Sequence, residues 1–278
     1  MAIMRPLGLL LLLLVAAAPA SAQYAEGGAR VLALGRAGVA LGAEAWGHTN
    51  PAAWSGLPAP RLGVQASQAF GLRELQLGAL TAAAPTPLGT VGLSARTYGF
   101  DERRETRVAV GVARPVPLTP TRGLDLGVTV GYEAATTEDY GSVGGVLVSA
   151  GVQADLLPGL RGGLAGRNLL GLLRGEADDL RHGAATVPGL AAGVAYAPSD
   201  RTTLVLDADQ DFDFGLSVRA GAEVVPVEAL ALRVGVSSQP VRLSAGAGVR
   251  LGGLRADVAV ERHETLGLTP AFGVEFAF

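Results

Sequence analysis

The sequence reads as an all-β chain that closes into an antiparallel transmembrane β-barrel of about 14 strands, with an N-terminal plug or hatch-like segment ahead of it. Three features point that way: sustained period-two alternation, a last residue that is an aromatic of the apolar parity, and connections of two unlike kinds. The alternation is clearest from Ala229 to Phe278. Leu230, Leu232, Val234 and Val236 alternate with Ala231, Arg233 and Gly235. Leu243 to Leu251 alternates with Arg242, Ser244, Gly246, Gly248 and Arg250, and Leu254 to Val260 with Arg255, Asp257 and Ala259. Phe272, Val274, Phe276 and Phe278 alternate with Gly273, Glu275 and Ala277. Successive strand side chains point to opposite faces, so one face is Leu, Val and Phe while the other carries charge and glycine.

In chain order, Arg5, the apolar run Leu7 to Ala18 and the small-residue site Ala20-Ser21-Ala22 form a secretory signal peptide, with cleavage expected after Ala22. The apolar run is too short for a comfortable membrane span. Residues 23–59 do not alternate. Their dense small residues suit a segment packed inside something narrow. Asn50-Pro51-Ala52 reads as a turn or helix start, with Asn as cap and Pro at the first helical position. Residues 60–278 form the barrel domain, with strands expected near 61–69, 74–82, 90–98, 105–114, 123–134, 143–155, 160–168, 188–197, 201–210, 214–224, 229–237, 241–251, 254–262 and 270–278. An even count suits a bacterial single-chain barrel.

The connections fall into two sets. Those after even-numbered strands, such as Ala84 to Pro87, Pro115 to Thr121, Pro198-Ser199-Asp200 and Pro226-Val227-Glu228, are short and proline-bearing. Those after odd-numbered strands, such as Phe100 to Arg104, Thr137 to Tyr140 and Leu169 to Val187, are more charged, and the last is long. With a periplasmic N-terminus the first set is periplasmic. Within Leu169 to His182 a short amphipathic helix over the mouth is expected, and Glu176-Ala177-Asp178-Asp179 reads as a solvated loop tip.

Charge follows the alternation. Arg96, Arg107, Asp125, Glu133, Asp207, Arg219, Glu223, Arg233, Arg250, Asp257 and Glu275 share the non-apolar parity, together with Asp155, Arg167 and Asp209. A charge on the lipid face at mid-depth costs roughly 2–4 kcal/mol, so these residues are expected to face the lumen. The competing fold is a soluble all-β sandwich or barrel, which alternates as well. The low aromatic content of 5% favours it, whereas the terminal Phe and the lack of charge on the apolar parity oppose it.

A stretch of about 28 residues carries a resemblance. Gly28-Ala29-Arg30, Leu34-Gly35, Ala37, Ala40-Leu41 and then Asn50-Pro51-Ala52 resemble the N-terminal signature of the FadL/PorV group of outer-membrane proteins. Arg36 stands where that pattern has a small residue, and the chain is shorter than the group's fatty-acid transporters, which implies short external loops. The resemblance implies a 14-stranded barrel in the cell outer membrane that moves hydrophobic compounds or assists protein secretion. Its partners would be outer-membrane lipid, hydrophobic small molecules or secretion components, and the barrel-assembly machinery, for which Phe272, Val274, Phe276 and Phe278 would be the C-terminal signal. A non-conducting scaffold barrel is the alternative.

Other chemistry is not visible in the sequence. There is no Cys, hence no disulfide framework or thiolate metal site. A net charge of -3 without a basic cluster argues against nucleic acid. His48, His182 and His263 lack metal-ligand spacing. Gly246-x-Gly248-x-x-x-Gly252 opens no helix and reads as a strand with small inward positions rather than a dinucleotide fingerprint. No nucleophile, base and orienting group stand together, so no enzyme, cofactor or metal is expected.

Overall fold

The computed structural model describes residues 27–119, 122–174 and 187–278. Fourteen antiparallel strands close into a barrel in which each strand pairs with its sequence neighbours and β1 pairs with β14. The strands are β1 (Arg61–Gln68), β2 (Gln76–Thr86), β3 (Gly89–Gly99), β4 (Arg103–Thr119), β5 (Arg122–Thr137), β6 (Gly141–Leu157) and β7 (Leu160–Arg167). They continue as β8 (Gly189–Ser199), β9 (Thr202–Asp211), β10 (Gly215–Val227), β11 (Leu230–Ser238), β12 (Val241–Leu251), β13 (Leu254–His263) and β14 (Gly267–Ala277). Closure runs through Leu62 opposite Phe276, Val64 opposite Val274 and Ala66 opposite Phe272. It leaves no open edge, which hydrocarbon would penalise at several kcal/mol per unpaired backbone group.

The faces are inverted relative to a water-soluble protein. Val110, Leu206, Val234, Leu243, Val258 and Phe272 are about half exposed on the outside, while the buried core lies within the tube. That core is built on residues 27–59. Helix α1 (Gly28–Ala33) lies against β12, β13 and β14, and a single 3-10 turn, Pro51–Trp54, lies against β4, β5 and β6. Leu32 and Ala33 pack on Ala259 and Ala271, Leu34 and Leu41 on Ala195 and Val205, and Trp54 and Leu57 on Ala83 and Ala113. Inward alanines and glycines on the wall are what let a second segment fit inside.

The two rims differ as the connections do. Among the described residues, every connection after an even-numbered strand is two residues long, the shortest hairpin loop. Those after odd-numbered strands run from two residues, Gln239-Pro240, to the stretch between Arg167 and Gly189. We call these the turn rim and the loop rim. Of the expected turn from Pro115 to Thr121, the part up to Thr119 is instead strand, because β4 runs on to Thr119 and pairs Val116 with Leu124, and the last two residues lie outside the described ones. The pairing of β4 with β3 stops at Thr90 opposite Ala113, so the missing N–H of Pro115 and Pro117 falls on an edge with no neighbour. For the same reason Pro85, Pro198 and Pro226 end their strands rather than interrupt them. A helix α2 covers Leu169–Arg174; the rest of the expected helix, with Glu176, Asp178, Asp179 and His182, lies outside the described residues.

Candidate functional site

Arginines and carboxylates on the inner wall are organised in shared pairs. Glu133 accepts from both Arg96 and Arg107, at 2.6 Å each. Asp209 accepts two bonds from Arg167, at 2.6 and 2.8 Å, with Arg219 at 3.2 Å. Arg233 bridges Glu223 and Asp257 at 2.5 and 2.7 Å, and Arg255 joins Asp257 at 2.8 Å. Asp125 pairs with Arg161, and Glu275 stands 3.9 Å from Arg61. Desolvated charges are tolerated only when paired and hydrogen-bonded, and neighbouring inward positions on adjacent strands supply the partners.

Arg96, Glu133, Asp207, Glu223, Arg233, Asp257 and Glu275 are buried inside the barrel, and Arg107, Asp125 and Arg219 partly so. Arg250 departs from the expected lumen position. It has the inward parity but lies one residue from the turn-rim end of β12, opposite Arg255, and is exposed. Parity fixes which way a side chain points, not how deep along the tube it lies. At the other end of the chain Phe272 and Phe276 face outward, and Phe276 meets Phe278 edge-to-face at 4.9 Å.

The inner segment ties into this network. Arg30 donates to Glu223 at 2.6 and 2.9 Å and also contacts Glu44. Arg36, with φ of 68°, reaches Glu261 through two bonds of 2.8 Å. The Asp207 carboxylate accepts the backbone N–H groups of Gly38 and Val39 at 2.6 and 3.0 Å. Gln153 donates to the carbonyls of Val39 and Leu41 at 2.8 and 3.0 Å. Asn50 caps its turn by accepting from Ala52 N–H at 3.0 Å, and its amide donates to Val39 O at 2.8 Å and to the wall carbonyls of Val152 and Leu164 at 3.3 Å. Pro51 follows as the first residue of the turn, and Asn50, Pro51 and Ala52 are all buried.

Between this segment and the loop rim lies a chamber of about 120 Å³. Arg36, His48 and Trp54 contribute to one side, and Arg107, Leu147, Arg167, Asp209 and Arg219 to the wall; Asn168 and Val187 mark its loop-rim end. His263 lies elsewhere, at the end of β13, where its Nδ1 accepts from Thr265 and Leu266 N–H and its ring meets Phe70 at 5.6 Å. Gly246 is an inward position of β12, where an added Cβ would stand 2.6 Å from that of Ala33. Among the described residues no three His, Asp or Glu side chains converge as a metal site.

Arg30, Arg36, Glu44, Gln153 and Glu261 join the network without being among the expected lumen residues. For Gln153 and Glu261 the signal was present, since both sit on the inward parity of their strands. For Arg30, Arg36 and Glu44 parity gives none, because the inner segment has no strand period; Arg30 and Arg36 stand out only through the motif they sit in.

This geometry defines a closed barrel whose apolar face looks out and whose polar interior is filled by its own N-terminal segment. Solved structures share it. The chain superposes on CymD, a monoaromatic hydrocarbon channel, with a TM-score of 0.66 at 13% identity over 90% of this chain and 97% of that one. It is similar to the Pseudomonas putida toluene transporter TodX (TM-score 0.63, 11% identity, 92% and 99% coverage). A Pseudomonas aeruginosa FadL homologue gives 0.60 at 11% identity, with 95% and 100% coverage. The chain thus has the fold of the FadL-type outer-membrane barrels. No protein-family profile and no curated protein sequence matches it.

Proposed function

We propose that this protein is an outer-membrane channel for small, largely hydrophobic compounds, and that residues 27–59 plug its lumen. The observation that carries this reading is an inner segment held on opposite walls of a closed barrel with an apolar exterior. Support comes also from the hydrocarbon channel and toluene transporter that share the fold. The turn rim would face the periplasm, and the signal peptide, cleaved after Ala22, would direct export. Passage needs the plug to shift, because the chamber above it holds only about 120 Å³. Deleting residues 25–50 and recording single channels in planar bilayers tests this. Conductance should rise; unchanged conductance would falsify the plug.

A second reading, a non-conducting barrel serving an envelope complex, is favoured by the lumen itself, which ion pairs and the inner segment nearly fill. Swelling of liposomes in small solutes separates the two.

A further inference from the structure

Within the span the barrel has no open edge, but toward the loop rim one strand outruns its neighbour. β6 has 17 residues, where about 9–11 suffice to cross a bilayer. Its pairing with β7 begins only at Ala150 opposite Gly166, so among the described residues no strand lies on that side of residues 141–149. Helix α2 packs at the lower end of the gap, where Asn168 N–H donates to Ser149 Oγ at 3.4 Å. Higher up both faces of β6 are open: Val143, of the inward parity, is 44% exposed and Val146, of the outward parity, 53%. An edge of this kind presents a row of N–H and C=O groups, and proteins usually guard it with proline or charge. The β4 overhang at the turn rim is guarded in that way by Pro115 and Pro117. Residues 141–149 contain neither proline nor charge.

Charge enters just above them. Glu138 and Asp139 form the tip that leads into β6, both exposed and without an ion pair among the described residues. Glu138 N–H donates to Glu102 O at 2.8 Å, which brings a further exposed acidic residue to the same tip. We infer that residues 141–146 are a docking edge for an extended peptide of another protein, which adds as a strand beside β6 and sets a lysine or arginine against Glu138 and Asp139. In strand addition the main-chain bonds give affinity and the alternate side chains give selectivity. Val143, Gly144, Gly145 and Val146 suit an uncharged, β-branched strand, and the acidic tip dictates which end of it is basic. A second copy upright in the same membrane would bring its own Glu138 and Asp139 to the same level, so like charges would meet. This inference goes beyond the channel reading and does not depend on what passes through the lumen.

A strand added antiparallel brings its C-terminal end to Gly141. The test therefore uses the full mature chain in detergent and the fluorescence anisotropy of a short labelled peptide of alternating valine and threonine with an amidated C-terminal lysine. Binding should saturate below about 1 mM. Methylating every second backbone nitrogen of the peptide should weaken it about tenfold or more in one frame, where the N–H groups face β6, and should change little in the other frame. Glu138→Lys combined with Asp139→Asn, which keeps a residue that tolerates the φ of 65° there, should weaken the lysine-ended peptide about tenfold and favour a glutamate-ended one. Both positions lie on an exposed turn, so the barrel is left intact. No saturation overturns the inference, and so does an equal response to the two methylation frames. A charge reversal that leaves the preference for lysine unchanged overturns it as well. The conductance measured after deleting residues 25–50 tests the channel separately.

Discussion

Residues 28–39 meet the β9–β13 wall through glycine cradles at Gly221, Gly235 and Gly246 and, in addition, through ion pairs, whereas residues 45–57 meet the β1–β6 wall without an ion pair among the described residues and chiefly through shape. In the first contact, Arg30 and Arg36 reach Glu223 and Glu261, and Asp207 takes the amides of Gly38 and Val39. In the second, the Trp54 ring lies where a Cβ on Gly92 would approach it to 2.4 Å, and Pro51 lies where one on Gly127 would stand 2.3 Å from its backbone. The Trp54 indole N–H donates within the segment, to Ala45 O at 2.8 Å. Ionic contacts depend on partner identity and survive small displacements. A ring in a glycine cradle has no alternative position, because close-packed walls do not yield gradually. The half without ion pairs should therefore behave as the fixed end of the plug, and the half that also relies on them as the end that can be released.

The harshest challenge to that division is Trp54→Ala. It leaves the cradle of Gly92 and Gly111 empty and should cost the 45–57 half about 3–5 kcal/mol. Hydrogen exchange at Ala53, whose N–H donates to Asn50 O at 3.0 Å, should then speed up by two orders of magnitude or more. If exchange over residues 28–39 rises by the same factor, the two halves are one cooperative unit and the distinction fails.

Glu261→Gln is the matching insult to the other half. It leaves Arg36 and Arg242 without their shared carboxylate, and should cost about 3 kcal/mol. Protection should fall from Val31 to Arg36 first. Adding Arg36→Gln should restore part of the loss, whereas no second substitution distant from the cradle should rescue Trp54→Ala. A double-mutant cycle showing no coupling between positions 36 and 261 would remove charge as the first half's anchor. Asp207→Asn is gentler. The amides of Gly38 and Val39 keep an acceptor but lose its charge, for about 2 kcal/mol. Plug opening events in bilayer recordings should become more frequent while the open conductance stays the same.

How much of this could be read beforehand follows the same division. All fourteen strands fall where period two puts them, because each face meets a different solvent and the alternation has to hold along every strand. Strand ends were less legible. Pro115 and Pro117 look like a turn unless one knows that β3 has already stopped beside them. Within the lumen, parity marked the wall charges but not their partners. Arg36 and Glu261 lie 225 positions apart, and nothing local couples them. Arg250 shows the same limit in reverse, with the right face but a depth at the open rim. The glycine cradles were visible only as abundance. Gly92, Gly111, Gly127 and Gly151 acquire meaning once Trp54, Pro51 and Asn50 are seen against them.

Asn50 is where the two modes of attachment join. Its Oδ1 caps the Pro51–Trp54 turn, and its amide nitrogen donates across to Val39 O, next to the Asp207 contact. Removing both functions in Asn50→Ala should cost about 1–2 kcal/mol, the smallest effect of the series, but it should fall on both halves at once. Asn50→Asp separates the contributions. The carboxylate can still accept from Ala52 N–H, yet it replaces a donor facing three carbonyls, those of Val39, Val152 and Leu164. If the cap is the residue's main task, Asp should be better tolerated than Ala, as at ordinary helix starts. If the bridge is, Asp should be worse than Ala, since a buried oxygen set against three carbonyls costs more than a missing side chain. The geometry favours the second order. Measuring exchange at Val39 and Ala53 in both variants decides it, and an Asp variant closer to wild type than the Ala variant at both positions would show that the halves are joined by the chain alone.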